Sequence, residues 1–301
     1  MKKEIIARGA ITALLTPIKR EGLNLDAFET LIVHQLKNGI SGLLLYGTTG
    51  EPLSITDLQK KVLYTALKEI NGNRVPVICG ISDILTENCI RKAKLYQKYG
   101  ANALMLVTPY YYKANDYGIY KHFKAVCDAV KLPVIVYNVP ARTNYDLSEK
   151  SELLKAVADI PNVVAIKHAQ SDKGKMREFT KKAPLFVYSG CDENNTECLA
   201  SGGIGCISVA SNLYPKEISD TCKAIAERDA ETANRLNERL APLFKLLSSE
   251  PNPAPAKYAL SVLLKNEYGE VDYMKLPLHP ISENLKIKID EYIKNSGGYI
   301  K

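Results

Sequence analysis

Pro161-Asn-Val-Val-Ala-Ile-Lys167 is a short apolar strand that ends on an amine. About thirty residues earlier, Val134-Ile-Val-Tyr-Asn-Val-Pro-Ala-Arg-Thr143 has the same build: an apolar run that reaches Tyr137, then a loop that carries Arg142. Runs of this kind recur along the chain at Ala10–Leu15, Gly42–Tyr46, Val75–Cys79, Ala103–Val107, Val134–Tyr137, Val163–Ile166, Leu185–Tyr188 and Cys206–Val209. Helical patterns fill the gaps. Leu25–Leu36 follows Asn24 and Asp26 as cap candidates, Ile55–Ile70 follows Ser54, and Glu87–Tyr99 follows Thr86. Continuous apolar strands alternating with helices predict a parallel sheet covered on both sides. Eight such units predict an α/β protein of the closed (β/α)8 TIM-barrel type. An open doubly wound sheet is the competing architecture, but no Gly-x-Gly-x-x-Gly follows the first strand.

After the eighth run the pattern changes. Pro215–Arg228, Ala230–Leu247, Ala256–Leu264 and Ile281–Asn295 read as helices, broken at the proline-rich turn Ser249-Glu-Pro-Asn-Pro-Ala-Pro255. The expected organisation is a barrel over 1–228 that carries the active site, with a C-terminal helical extension over 229–301.

Composition bounds the function. The 301 residues are 46% hydrophobic and 24% charged, enough for a large core in an ordinary soluble protein. The net charge of +7 is spread among acidic residues and comes with no aromatic-basic module. That argues for small anionic substrates and against a nucleic-acid partner. The segment Met1-Lys-Lys-Glu-Ile-Ile-Ala-Arg8 lacks the long apolar stretch of a signal peptide, and no run reaches the length of a membrane span. Seven cysteines, odd in number and without a Cys-x-x-Cys, predict reduced, packed thiols in a cytoplasmic protein. Four scattered histidines offer no metal-ligand spacing, and no metal or cofactor is expected.

In such barrels the chemistry sits at the carboxyl ends of the strands. A lysine at the end of an apolar strand has little to gain from packing. Burial lowers its pKa, and a neutral amine attacks ketones to form a Schiff base. Four more features fall at that end. Gly47-Thr-Thr-Gly-Glu51 follows the second run; its backbone N–H groups and two hydroxyls suit a small carboxylate. Thr108-Pro-Tyr-Tyr-Tyr112 follows the fourth, Tyr137 and Arg142 belong to the fifth, and Ser189-Gly190 and Ile207-Ser208 belong to the last two. Singly, each has a plain alternative: a turn, packed phenols, a surface ion pair, a lysine paired with a barrel carboxylate. Their coincidence at one end of one scaffold favours carbonyl chemistry on an anionic substrate.

On these residues the chain resembles the family of class I pyruvate aldolases and synthases typified by dihydrodipicolinate synthase and N-acetylneuraminate lyase. The resemblance runs from Gly9–Pro17 to Glu250-Pro-Asn-Pro253 and rests on Gly-Thr-Thr-Gly-Glu, Tyr-Asn-Val-Pro-Ala-Arg-Thr and the strand-ending Lys167. The paired Thr48-Thr49 and Thr143 after Arg142 point to the synthase branch. The resemblance implies that Lys167 forms an imine with pyruvate and that Tyr137 shuttles the proton at the reacting carbon. It implies that Thr48 links Tyr137 to Tyr111, which reaches in from a neighbouring subunit of a homotetramer or homodimer. It also implies that Thr49 and the Ile207 main chain bind pyruvate, while Arg142 binds the carboxylate of L-aspartate 4-semialdehyde. Departures are His168, Gln170-Ser171, Pro52 and Cys191; strand alternation turns His168 away from Lys167 and gives it a structural role. At the places where feedback-sensitive members bind lysine, this chain has Asp57, Lys60, Ile84 and Asn88, so insensitivity to L-lysine is expected. Two rival readings stay open: an aldolase that cleaves a 2-oxo sugar acid to pyruvate, told apart by assay with each aldehyde, and a non-catalytic oxo-acid sensor, told apart by any turnover.

Overall fold

The computed structural model describes residues 4–265 and 267–296. Met1–Lys3 of the N-terminal segment and the last residues of the helical extension, from 297 on, lie outside them. Among the described residues there are ten strands: β1 Gly9–Ala13, β2 Ile18–Lys19, β3 Gly22–Leu23, β4 Gly42–Leu45, β5 Val77–Gly80, β6 Ala103–Val107, β7 Val134–Asn138, β8 Val163–His168, β9 Phe186–Ser189 and β10 Gly205–Ser208. β1 and β4–β10 form a closed barrel in the order β1-β10-β9-β8-β7-β6-β5-β4. Each of the eight expected runs supplies one of its strands, within two residues at either end. β2 and β3 pair as a small antiparallel hairpin that the apolar pattern does not reveal.

The helices are α1 Leu25–Lys37, α2 Asp57–Asn71, α3 Thr86–Tyr99, α4 Asp116–Asp128, α5 Pro140–Thr143, α6 Ser151–Ala158, α7 Lys173–Lys182, α8 Asn195–Ala200, α9 Pro215–Ala226, α10 Ala230–Ser248, α11 Ala254–Leu263 and α12 Glu283–Ser296. Strands such as β6 and β7 are buried along their whole length. That is why they read as unbroken apolar runs: one face lines the barrel and the other meets the helices.

The chain divides into two compact units, one of Pro76–Ile207 with the segment up to Gly9, the other of Ala10–Val75 with Ser208–Lys301. The first contains β5–β9 with helices α3–α8; the second contains β2–β4, α1, α2 and α9–α12.

Two expected caps are wrong. The cap of α2 is Thr56, not Ser54: its side chain accepts from Gln59 N while the Gln59 side chain accepts from Thr56 N, a reciprocal box. At α3 the cap position is Leu85, and Thr86 is already helical. The Thr86 hydroxyl instead meets His122 Nδ1 of α4 at 3.0 Å, so it serves helix packing. Asn24 does cap α1, accepting from Ala27 N.

Candidate active site

β7 and β8 run parallel with Tyr137 opposite Lys167 and Asn138 opposite His168. Residues paired in register point to the same face, and the next pair points to the other. Tyr137 and Lys167 therefore share one face, and the Lys167 ammonium lies over the Tyr137 ring, 4.6 Å from its centre. Lys167 is 5% exposed. No Asp or Glu among the described residues lies within salt-bridge distance of its Nζ. Burial pushes its pKa down to about 8; Asp192 opposes the shift and the Arg142 guanidinium adds to it. A substantial fraction of this amine is thus neutral near physiological pH, as a nucleophile requires.

The opposite face holds the site in place. Asn138 Nδ2 donates to Asp146 Oδ1 at 2.8 Å and lies 3.1 Å from His168 Nδ1. Asn138 Oδ1 accepts from Leu147 N. His168 packs on the Phe179 ring, centroids 4.3 Å apart, and burial pulls it down to about 4, against Asp146. These bonds anchor the far end of the loop that carries Arg142 on α5. His168 is thus placed away from Lys167, on the helix side, as strand alternation predicts. Arg142 itself is exposed.

Gly190 follows β9 directly against the lysine. A Cβ there would stand 3.0 Å from Lys167 Cε and 3.1 Å from the Ala169 backbone, closer than ordinary contact, so glycine leaves the lysine room that a side chain would press on. Beside it Cys191 is half-buried, its thiol pushed up to about 11 by burial and by Asp192 and Glu193. Ile207 is buried in β10. Tyr111 is placed quite differently: 83% exposed, with a left-handed φ of 71° and its ring edge-on to Tyr112.

Thr48 and Thr49 belong to the other unit. They form a 3-10 turn, Thr48–Gly50, at the carboxyl end of β4. Gly50 N and Glu51 N bond back to Gly47 O and Thr48 O, so two of the N–H groups expected to meet a carboxylate are spent within the turn. The hydroxyls remain. At Gly50 a Cβ would crowd Leu14 O at 3.0 Å, and Thr16 Oγ1 donates to Gly50 O. Two further residues grip the turn, and their roles were not legible in advance. Asn252 Nδ2 donates to Thr49 Oγ1 at 3.2 Å, and Lys257 Nζ donates to Glu51 Oε1 at 2.7 Å and to Tyr273 O at 2.8 Å. The one sequence signal was Asn252 set between Pro251 and Pro253, a polar side chain in a stiffened turn.

All seven cysteines are free thiols. Among the described residues no group of three or more His, Cys, Asp or Glu is arranged to hold a metal ion, and no helix is long and apolar enough to cross a membrane.

The model of the dihydrodipicolinate synthetase family matches residues 6–296. The chain is 37% identical over 297 residues to a 4-hydroxy-tetrahydrodipicolinate synthase of Thermotoga neapolitana, covering 96% of this chain and 99% of the relative. It is 36% identical to the enzyme of the same name from Neisseria meningitidis, at 96% and 99% coverage. Among solved structures it resembles the chloride-inhibited dihydrodipicolinate synthase of Acinetobacter baumannii in complex with pyruvate, with a TM-score of 0.90, 34% identity, and coverage of 97% of this chain and 99% of that one. A dihydrodipicolinate synthase of Aquifex aeolicus gives 0.89 at 31% identity, covering 98% and 99%. The closed parallel barrel, its strand-ending lysine and these full-length likenesses lead to one conclusion: the chain belongs to the dihydrodipicolinate synthetase family.

Proposed function

We propose that this protein is a lyase of the class I aldolase type that condenses pyruvate with L-aspartate 4-semialdehyde to 4-hydroxy-tetrahydrodipicolinate, in lysine and diaminopimelate biosynthesis. The observation that carries the reading is the pairing of Lys167 and Tyr137: a buried amine without a carboxylate partner, lowered to about 8, over a phenol ring on the adjacent strand. The names of the full-length relatives support the same reaction.

The neutral Lys167 amine adds to C2 of pyruvate, and loss of water leaves an iminium. The iminium is an electron sink, so a C3 proton leaves to Tyr137 and an enamine forms. Enamine C3 then bonds to the aldehyde carbon while the aldehyde oxygen takes up a proton. The substrate's own amine closes on C2 and displaces Lys167, which returns as the free amine. Thr49 and the Ile207 main chain hold the pyruvate carboxylate, and Arg142 holds the carboxylate of the aldehyde substrate with two parallel bonds. Thr48 links Tyr137 to the phenol of Tyr111. Because Tyr111 is exposed on its own chain, we assign it to the site of a neighbouring subunit, in a homodimer or a dimer of such dimers. No cofactor enters; pyruvate itself is held covalently. Residues 1–228 form the catalytic barrel in this reading and 229–301 its helical extension, in a cytoplasmic enzyme.

Two measurements test the reading. Borohydride with pyruvate should add one pyruvate-derived group per chain, at Lys167, and K167A should take up none. Pyruvate consumption should be faster with aspartate semialdehyde than with sugar aldehydes. Labelling of another lysine overturns the mechanism; preference for a sugar aldehyde overturns the substrate.

A further inference from the structure

Thr49 is 4% exposed, and its hydroxyl accepts one hydrogen bond, from Asn252 Nδ2 at 3.2 Å. A threonine hydroxyl has a single proton and two lone pairs. Accepting from an amide occupies a lone pair and leaves the proton to be donated elsewhere. Among the described residues no protein group takes it. A buried hydroxyl with its proton still to place needs an acceptor-only ligand, and a carboxylate is one. Were Asn252 to present its carbonyl instead, Thr49 would donate to it and offer only lone pairs to an anion.

We infer that Asn252 is a positioning residue: by donating to Thr49 it aims the Thr49 proton at the carboxylate of the keto acid. The inference rests on the reading of Thr49 as the hydroxyl that binds that carboxylate. The surroundings fit this part. Asn252 lies in the turn that leads into α11, where Ala254 N bonds to Pro251 O and Lys257 N to Pro253 O. One helical turn on, Lys257 grips Glu51, two residues beyond Thr49. The same short segment therefore fixes the turn's position through Lys257 and its hydroxyl's direction through Asn252.

Steady-state kinetics of the whole enzyme with pyruvate and aspartate semialdehyde test this, in the wild type, N252A, N252D, T49V and T49V/N252A. N252A should raise the KM for pyruvate about tenfold and leave that for the aldehyde within about twofold. N252D keeps the shape, removes the donor and adds a negative charge, so its rise should be roughly a hundredfold or more. When T49V is already present, adding N252A should change the pyruvate KM by less than about twofold, because the hydroxyl it acts through is gone. An equal penalty with and without T49V means that Asn252 does not act through Thr49, and the inference is wrong. If T49V raises the pyruvate KM but N252A and N252D do not, the inference fails while the carboxylate reading stands. A T49V enzyme with the wild-type pyruvate KM overturns both. Should N252A not fold, N252L and T49V/N252L, which also lack the amide donor and add no charge, make the same comparison.

Discussion

Lys167 and Lys257 are both buried, at 5% and 1% exposure, and their surroundings treat them in opposite ways. Lys257 donates to a carboxylate at 2.7 Å and to a backbone carbonyl at 2.8 Å. Lys167 faces a phenol ring, with Asp192 pulling its pKa up and the Arg142 guanidinium pushing it down. Burial pushes both amines toward neutrality. Glu51 pulls Lys257 back, whereas Lys167 falls to about 8. Burial also pushes Glu51 up, and the attraction of Lys257 opposes it. Partner chemistry, not depth, thus sets the two lysines apart.

The largest effects should come from exchanging the two losses. K167A should cut turnover by about four orders of magnitude or more while leaving urea stability unchanged or raised, since a costly buried ammonium is gone. K257M should lose about 3–5 kcal/mol of stability, because Glu51 is left buried without its counter-charge, yet still trap pyruvate at Lys167. E51Q/K257M should recover much of that stability. Equal stability losses in the two single variants would erase the distinction. The folded protein releases the Lys167 proton at about 8 and the unfolded chain near the ordinary 10.5. Between those values the unfolded state binds more protons, so this group's contribution to stability rises with pH, and its destabilising effect is complete below about 8. Trapping rates should rise through about pH 8 and then level off.

A smaller effect tests the long-range charges on Lys167. R142A should retain imine trapping but lose about a hundredfold in kcat/KM for the aldehyde substrate, the value of a charge-assisted bidentate contact. Removing the guanidinium's repulsion should also move the trapping profile to higher pH. A profile that moves down or stays fixed would show that Arg142 does not help to lower Lys167.

The smallest effect concerns an ammonium from outside. Millimolar L-lysine should leave the initial rate unchanged at constant ionic strength and saturating pyruvate. Asn88 donates to Asp83, whose carboxyl is held down to about 2 although burial opposes it, chiefly by the Lys92 and Asn88 hydrogen bonds. Lys92 already bonds to that carboxylate at 2.7 Å, and Lys60 pairs with Asp57. A saturable fall in rate would show that these pairs yield to a free amino acid.

The sequence was most legible where a local rule governs. Unbroken apolar runs marked the barrel strands because burial on both faces removes every polar position. Lys167 and Tyr137 stood out because each interrupts such a run at its end. Capping was less legible: Ser54 and Thr86 have suitable side chains, but the direction of the chain at the helix start chose Thr56 and Leu85. Lys257 looked like any lysine of a helix. Its burial depends on Glu51, 206 residues away, and no pattern within a helix encodes a partner at that distance.

That separation has a consequence in time. Glu51 leaves the ribosome 206 residues ahead of Lys257, which at roughly 5–20 residues per second is an interval of about 10–40 s. For nearly all of it the nascent chain has the threonine turn but neither Asn252 to bond the Thr49 hydroxyl nor Lys257 to neutralise its neighbouring acid. The turn is thus synthesised early and set late: a chain stalled or cut before Asn252 would contain Lys167 and, in the proposed reading, still lack a finished place for the keto acid.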